Sequence, residues 1–202
     1  MIERIGVIYQ DKSSFGFLRG VEDRLNCRAR LLGPPSAIGK TQCLSRNNAR
    51  NAWRYFSGKG VDLVVRFTDA DGRPWKEVRQ QELSRVPSEA RSLWICGVTV
   101  NNTEDWLALD TPYIASHLQL QESKLGNPKE RTGIIKHAIL QQARGGENPS
   151  DVVRRIVVSA PPDVFRKWLT DASLRAFYTE CRNAARQTGC ETPNELSEGE
   201  NA

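Results

Sequence analysis

The run Val61-Asp-Leu-Val-Val-Arg-Phe67 constrains the fold of this chain more than any other stretch. It is apolar and rich in β-formers except at Asp62 and Arg66, without the strict alternation of a strand that has one wet face. It therefore reads as a strand covered on both sides, the kind found in parallel sheets flanked by helices. Its continuation, Thr68-Asp-Ala-Asp-Gly72, places two carboxylates in an Asp-x-Asp spacing just before a turn glycine. Ligands of an open parallel sheet bind at the carboxyl ends of its strands, so one segment suggests both a fold and a place for chemistry.

The neighbouring sequence extends the pattern. Residues 5–9 and 29–32 predict two further strands, and 93–100 a fourth. Helical spacing appears at 15–25, with Phe17, Val21 and Leu25 inward, at 47–56, with Ala49, Trp53 and Phe56 inward, and in the polar stretch 75–86. This β-α-β-α-β-α-β order, with connections long enough for crossover helices, predicts an α/β fold: a doubly wound, mostly parallel four-stranded sheet. After Thr103 the strand signals fade, and helices are expected over 104–109, 111–120, 132–143, 149–158 and 162–186. The 202 residues divide into an α/β domain (1–120), a helical extension packed on it (121–190) and an acidic tail (191–202). The tail holds four glutamates and no Lys or Arg, a composition expected to be disordered.

A net charge of +5 is compatible with a nucleic-acid partner without demanding one. Five scattered cysteines without CxxC spacing argue against a zinc site or a disulfide framework and for a reducing compartment. No apolar stretch approaches membrane-spanning length and no signal-peptide core is present, so the expectation is a soluble, cytoplasmic protein.

Asp69 and Asp71 are candidate ligands for Mg²⁺ or Mn²⁺, hard cations that take oxygen ligands and keep several waters. The competing reading makes them turn residues, the everyday use of Asp before Gly. Glu104 follows the fourth strand and lies near Asp69 if strands three and four are neighbours; otherwise it is a first-turn carboxylate favoured by the helix dipole. The stretch Gly33-Pro-Pro-Ser-Ala-Ile-Gly-Lys-Thr41 is not a phosphate-binding P-loop. Five residues separate its glycines instead of four, and prolines lack the N–H such a loop presents. Lys40 in that loop is a candidate contact to a nucleic-acid backbone. His117 and His137 have no serine or carboxylate at suggestive spacing. The basic residues between Arg131 and Arg186 form either a solvated surface or a binding face. Trp94, Trp106 and Trp168 are material for core or interface.

The order of these pieces resembles the Toprim fold, and more closely a family of small stand-alone Toprim-like proteins paired with ABC- or AAA-type ATPases in anti-phage defence. Three stretches carry the resemblance: Val61 to Gly72 with its Asp-x-Asp, Glu104-Asp-Trp-Leu-Ala-Leu-Asp110, and Leu125-Gly-Asn-Pro-Lys-Glu130. The resemblance implies a metal-dependent nuclease acting on DNA or RNA, with one or two ions held by Asp69, Asp71 and Glu104. It also implies Lys12 or Lys129 near the scissile phosphate and an ATPase partner. One departure stands out. Gln10 occupies the place of the glutamate that ends the first Toprim strand, and Ser14 the place of an aspartate. Glutamine carries no negative charge and takes up no proton at neutral pH. Either Asp11, one residue on, substitutes for that glutamate, or the chain is a degenerate, binding or regulatory subunit.

Overall fold

Four strands, β1 (Arg4–Ile8), β2 (Arg30–Leu32), β3 (Leu63–Asp69) and β4 (Trp94–Thr99), form one all-parallel sheet in the order β2-β1-β3-β4. The structure is a computed structural model that describes residues 2–33, 45–187 and 189–190. Lys40, Cys43 and the 191–202 tail lie outside the described residues. The helices are α1 (Lys12–Arg24), α2 (Arg46–Ser57), α3 (Trp75–Arg85), α4 (Thr103–Leu107), α5 (Thr111–His117), α6 (Pro128–Arg144), α7 (Pro149–Ser159), α8 (Pro162–Trp168) and α9 (Ala172–Gln187). None is long and apolar enough to cross a membrane among the described residues.

The apolar run of β3 has the reason expected of it. Leu63, Val65 and Phe67 join a core with α1, α7 and α9, while Val64 faces Ala52 and Phe56 of α2 on the other side. Arg66, the polar exception, is fully buried and meets Glu82 of α3 at 3.4 Å and Thr68 Oγ1 at 3.4 Å. A buried charge must be paired in this way. Since α1 and α2 lie on opposite faces, the chain runs from β1 outward to β2 and returns to β3 on the far side of β1. Strand order therefore reverses between β1 and β3. That topological switch opens a crevice at their carboxyl ends, the usual ligand position in doubly wound sheets.

The carboxyl-terminal helices share the core of the sheet. α7 lies so close along α1 that a Cβ on Gly16 would stand 2.3 Å from the Ser150 carbonyl oxygen. Phe177 of α9 meets Phe67 edge-on, with ring centroids 5.0 Å apart. Arg79 of α3 and Glu180 of α9 pair around the outer edge of β4, closing it between the two faces. Trp94, Trp106 and Trp168 are all buried, at 5%, 1% and 0% exposure, so they belong to the core and are not available as interface anchors.

Three departures from the expected helix boundaries come from caps. α1 starts at Lys12 because Asp11 caps it, and α6 starts at Pro128 behind an Asn127 cap, with proline in its favoured first-turn place. The helix expected over 162–186 is two. Asp171 breaks it by accepting hydrogen bonds from the N–H groups of Ser173 and Leu174 at 2.9 and 3.0 Å.

Candidate functional site

β3 ends on Asp69, which is in register with Thr99 of the adjacent β4. The Thr99 hydroxyl donates to Asp69 Oδ1 at 2.6 Å. The chain then turns through Ala70–Arg73, where the Arg73 N–H donates to the Ala70 carbonyl at 3.1 Å. Asp71 and Gly72 both have positive φ, 50° and 77°, the signs of a type I′ turn, which selects Asp-Gly. The two readings of the Asp-x-Asp motif thus separate. Asp71 is an exposed turn residue at the rim, and Asp69 is half-buried within the crevice.

At the end of β1, the Gln10 amide bridges to β3. Its Oε1 accepts from the Asp69 N–H at 3.1 Å and its Nε2 donates to Thr68 Oγ1 at 3.2 Å. Gln10 therefore ties the end of β1 to the end of β3. Asp11 follows as the N-cap of α1, its Oδ1 accepting from both the N–H and the hydroxyl of Ser14 at 2.8 Å. The Ser14 hydroxyl lies 3.1 Å from Thr103 Oγ1, which ties the start of α1 to the start of α4.

Glu104, on the first turn of α4, is 0% exposed, and neither carboxylate oxygen has a hydrogen-bond partner. Burial raises its pKa and the Asp11 charge raises it further, while the nearby Ser13 hydroxyl, its own backbone N–H and Lys136 act against this. Burial also pushes Asp69 up, to about 6; Asp11 and Asp71 add to the rise, and the Thr99 hydroxyl and Lys136 oppose it. Asp11 thus bears on both Asp69 and Glu104, and Lys136 opposes it at both. Among the described residues no three Asp, Glu, His or Cys side chains converge as a ready-made metal cage. The donor set still suits Mg²⁺, which typically binds through one or two carboxylates and keeps its waters.

Lys136 of α6 was visible in the sequence only as one of many basic residues. Its bearing on both Asp69 and Glu104 comes from the packing of α6 beside α4, where Thr132 donates to Asp105 at 2.7 Å. Lys129 is exposed on the first turn of α6, two turns before Lys136 and on the same helical face. Lys12 is exposed beside Asp11. The arginines of the helical part are largely engaged within the protein: Arg154 with Asp23, Arg155 with Glu147, and Arg131 and Arg175 with backbone carbonyls. The fold does bring a serine to His117: Ser159 Oγ lies 3.5 Å from its Nε2. That hydroxyl, however, donates to the Arg155 carbonyl of its own helix, so it is no activated nucleophile.

Comparison with family models, with curated proteins and with solved structures returns no match for this chain.

Proposed function

We propose that the chain is a Toprim-like, Mg²⁺- or Mn²⁺-dependent nuclease, hydrolysing phosphodiesters of DNA or RNA in the crevice between β1 and β3 as the effector of an ATPase-linked anti-phage defence complex. The observation that carries the metal reading is Glu104: a wholly buried carboxylate whose oxygens find no well-formed hydrogen bond, with only the Ser13 hydroxyl and its own N–H close by, and which feels the charges of Asp11 and Lys136 as Asp69 does. Leaving such a group unpaired costs several kcal/mol, and a cation offsets that cost. The nucleic-acid substrate, the ATPase and the defence setting come from the family resemblance alone.

Asp69 and Glu104 would hold the ion, with Asp71 at the rim reaching it through water. Asp11 supplies the negative charge that Gln10 does not. When bound, the divalent ion acts as a Lewis acid on the phosphate and lowers the pKa of a bound water. Thr99 orients Asp69, and Gln10 holds the Asp69 backbone, so the carboxylate stays in place as charge develops. Lys136, with Lys12 and Lys129, offers positive charge to the phosphate.

The second reading, a binding or regulatory subunit without catalysis, is favoured by the Gln10 bridge, an amide where a carboxylate would add charge. Cleavage of single- and double-stranded DNA and of tRNA with Mg²⁺ or Mn²⁺ separates the two. The nuclease reading expects metal-dependent cleavage that falls ~10²-fold or more in Asp69→Asn and in Glu104→Gln. No cleavage of any of these by the wild-type complex would select the binding subunit, and undiminished cleavage by both variants would place the chemistry elsewhere.

A further inference from the structure

At the opposite end of the sheet, away from the carboxylates, β1 and β2 begin with two arginines in register, Arg4 beside Arg30. Adjacent parallel strands are about 4.8 Å apart, and like charges so placed repel each other. Both side chains are exposed and border a cavity of about 380 Å³ completed by Leu32, Tyr55 and Lys59. Three of its five lining residues are cations and none is acidic. Two carboxylates lie close in sequence: Glu3, which precedes Arg4 and does not line the cavity, and Asp62, which accepts from the backbone N–H groups of Glu3 and Arg4, at 2.8 and 3.0 Å. Arg4 is held in position by its Nη1, which donates to the Lys59 carbonyl at 2.6 Å. Arg30 and the Lys59 ammonium have no partner among the described residues.

We infer that this cavity is a phosphate-binding site, distinct from the carboxylate crevice and independent of any catalysis there. A guanidinium fork matches a phosphate's oxygens, an ammonium adds a point charge, and a half-exposed tyrosine ring provides both a hydroxyl and a face. A phosphate between Arg4 and Arg30 also removes the repulsion that the strand register imposes. The carboxyl end of α2 borders the cavity and carries roughly half an elementary charge of the wrong sign. Three full cations outweigh it, and the carbonyls of Arg54, Phe56 and Ser57 are already bonded by the turn over Gly58–Val61.

The intact chain can be titrated with inorganic phosphate, a nucleoside monophosphate and a short single-stranded oligonucleotide while its backbone amide NMR shifts are followed. The site predicts saturable shifts at Arg4, Arg30, Lys59 and Gly60, weakened about tenfold in Arg30→Gln and less in Arg30→Lys, which keeps the charge but loses the fork. Arg30→Gln removes a like-charge neighbour, so without phosphate it melts no lower than wild type. Asp69→Asn binds as wild type does, which keeps this test separate from the proposed nuclease. Equal affinity for phosphate and nucleotide marks the phosphate itself as ligand. Tighter nucleotide binding that Tyr55→Leu abolishes marks a base stacked on the ring, and a tighter, steeply salt-dependent oligonucleotide marks a strand. The inference is overturned if no ligand shifts these amides, or if Arg4→Gln and Arg30→Gln titrate as wild type does.

Discussion

Two carboxylates, one buried and one half-buried, show how the same group serves opposite purposes. Glu104 is buried without a well-formed hydrogen bond, and on the proposed metal reading its place there is a stability cost retained for the ion. Glu104→Met, an apolar side chain of similar length, is expected to raise the metal-free melting stability by about 1–2 kcal/mol while removing the stabilisation that Mg²⁺ gives the wild type. Thermal melts with and without Mg²⁺ measure both, and a variant still stabilised by Mg²⁺ would refute the ligand assignment. Glu22 is different. It borders an apolar cavity between α1 and α9, and burial, with Asp23 adding, raises its pKa from 4.5 to about 7 against the pull of the Ala29 backbone, Arg154 and Arg19. Between those values the folded protein keeps a proton that the unfolded chain has released. The stabilisation is therefore complete below 4.5 and is lost as pH rises through 7. Allowing for solvent screening of a half-buried group, the loss is on the order of 1–2 kcal/mol. Glu22→Gln should flatten that slope in urea midpoints taken across the window, and an unchanged slope would assign it to other groups.

Among the elements, the α1–α7 contact is the tightest junction between the sheet and the helices that follow it. Gly16→Ala drives a methyl group into the Ser150 backbone, which has no rotamer to relax into, and is expected to cost about 1–3 kcal/mol. Gly133 on exposed α6 has open space around it, so Gly133→Ala should be neutral or stabilise by up to ~1 kcal/mol. Urea midpoints that move in these opposite directions with an unchanged m-value check the pair. The elements themselves were legible in the sequence because each signal is local: a continuous apolar run for β3, helical spacing for α2, a turn glycine after Asp71. β3 and β4 are neighbours, the condition set for Glu104 to near Asp69, and both carboxylates feel the charges of Asp11 and Lys136. The Gln10 bridge to Thr68, 58 residues away, was not legible, nor was the approach of Lys136 to the crevice. Such contacts are created by strand order and helix docking, which no local window encodes. The same holds for the arginines of the helical part: their charge is plain in the sequence, their engagement by Asp23 or Glu147 is not.

For the molecule as a whole, the question is where a partner can attach. Strand addition is disfavoured, because the Arg79–Glu180 pair closes the edge of β4 and β2 at the other edge is only three residues long. Trp94, Trp106 and Trp168 are buried and Trp53 and Trp75 are half-buried, so no tryptophan stands fully exposed as an interface anchor. The most exposed large aliphatic residues are Leu140 on α6 and Val158 on α7, each 45% exposed, on two helices that pack together. If the chain is the effector of an ATPase-linked complex, these two exposed aliphatic side chains are the candidate contacts for it. Expression of the whole locus should then yield a co-purifying ATPase. Leu140→Asp together with Val158→Asp should weaken that association at least about tenfold, because a charge buried in an interface without a partner is strongly disfavoured. Both side chains are solvent-facing, so the double variant should melt as wild type does and, if the isolated chain cleaves nucleic acid, keep that cleavage. Size-exclusion chromatography of the co-expressed proteins reads the outcome. An ATPase that co-elutes undiminished with the double variant would move the interface off α6 and α7, and the absence of any co-purifying ATPase would remove the partner from the proposal.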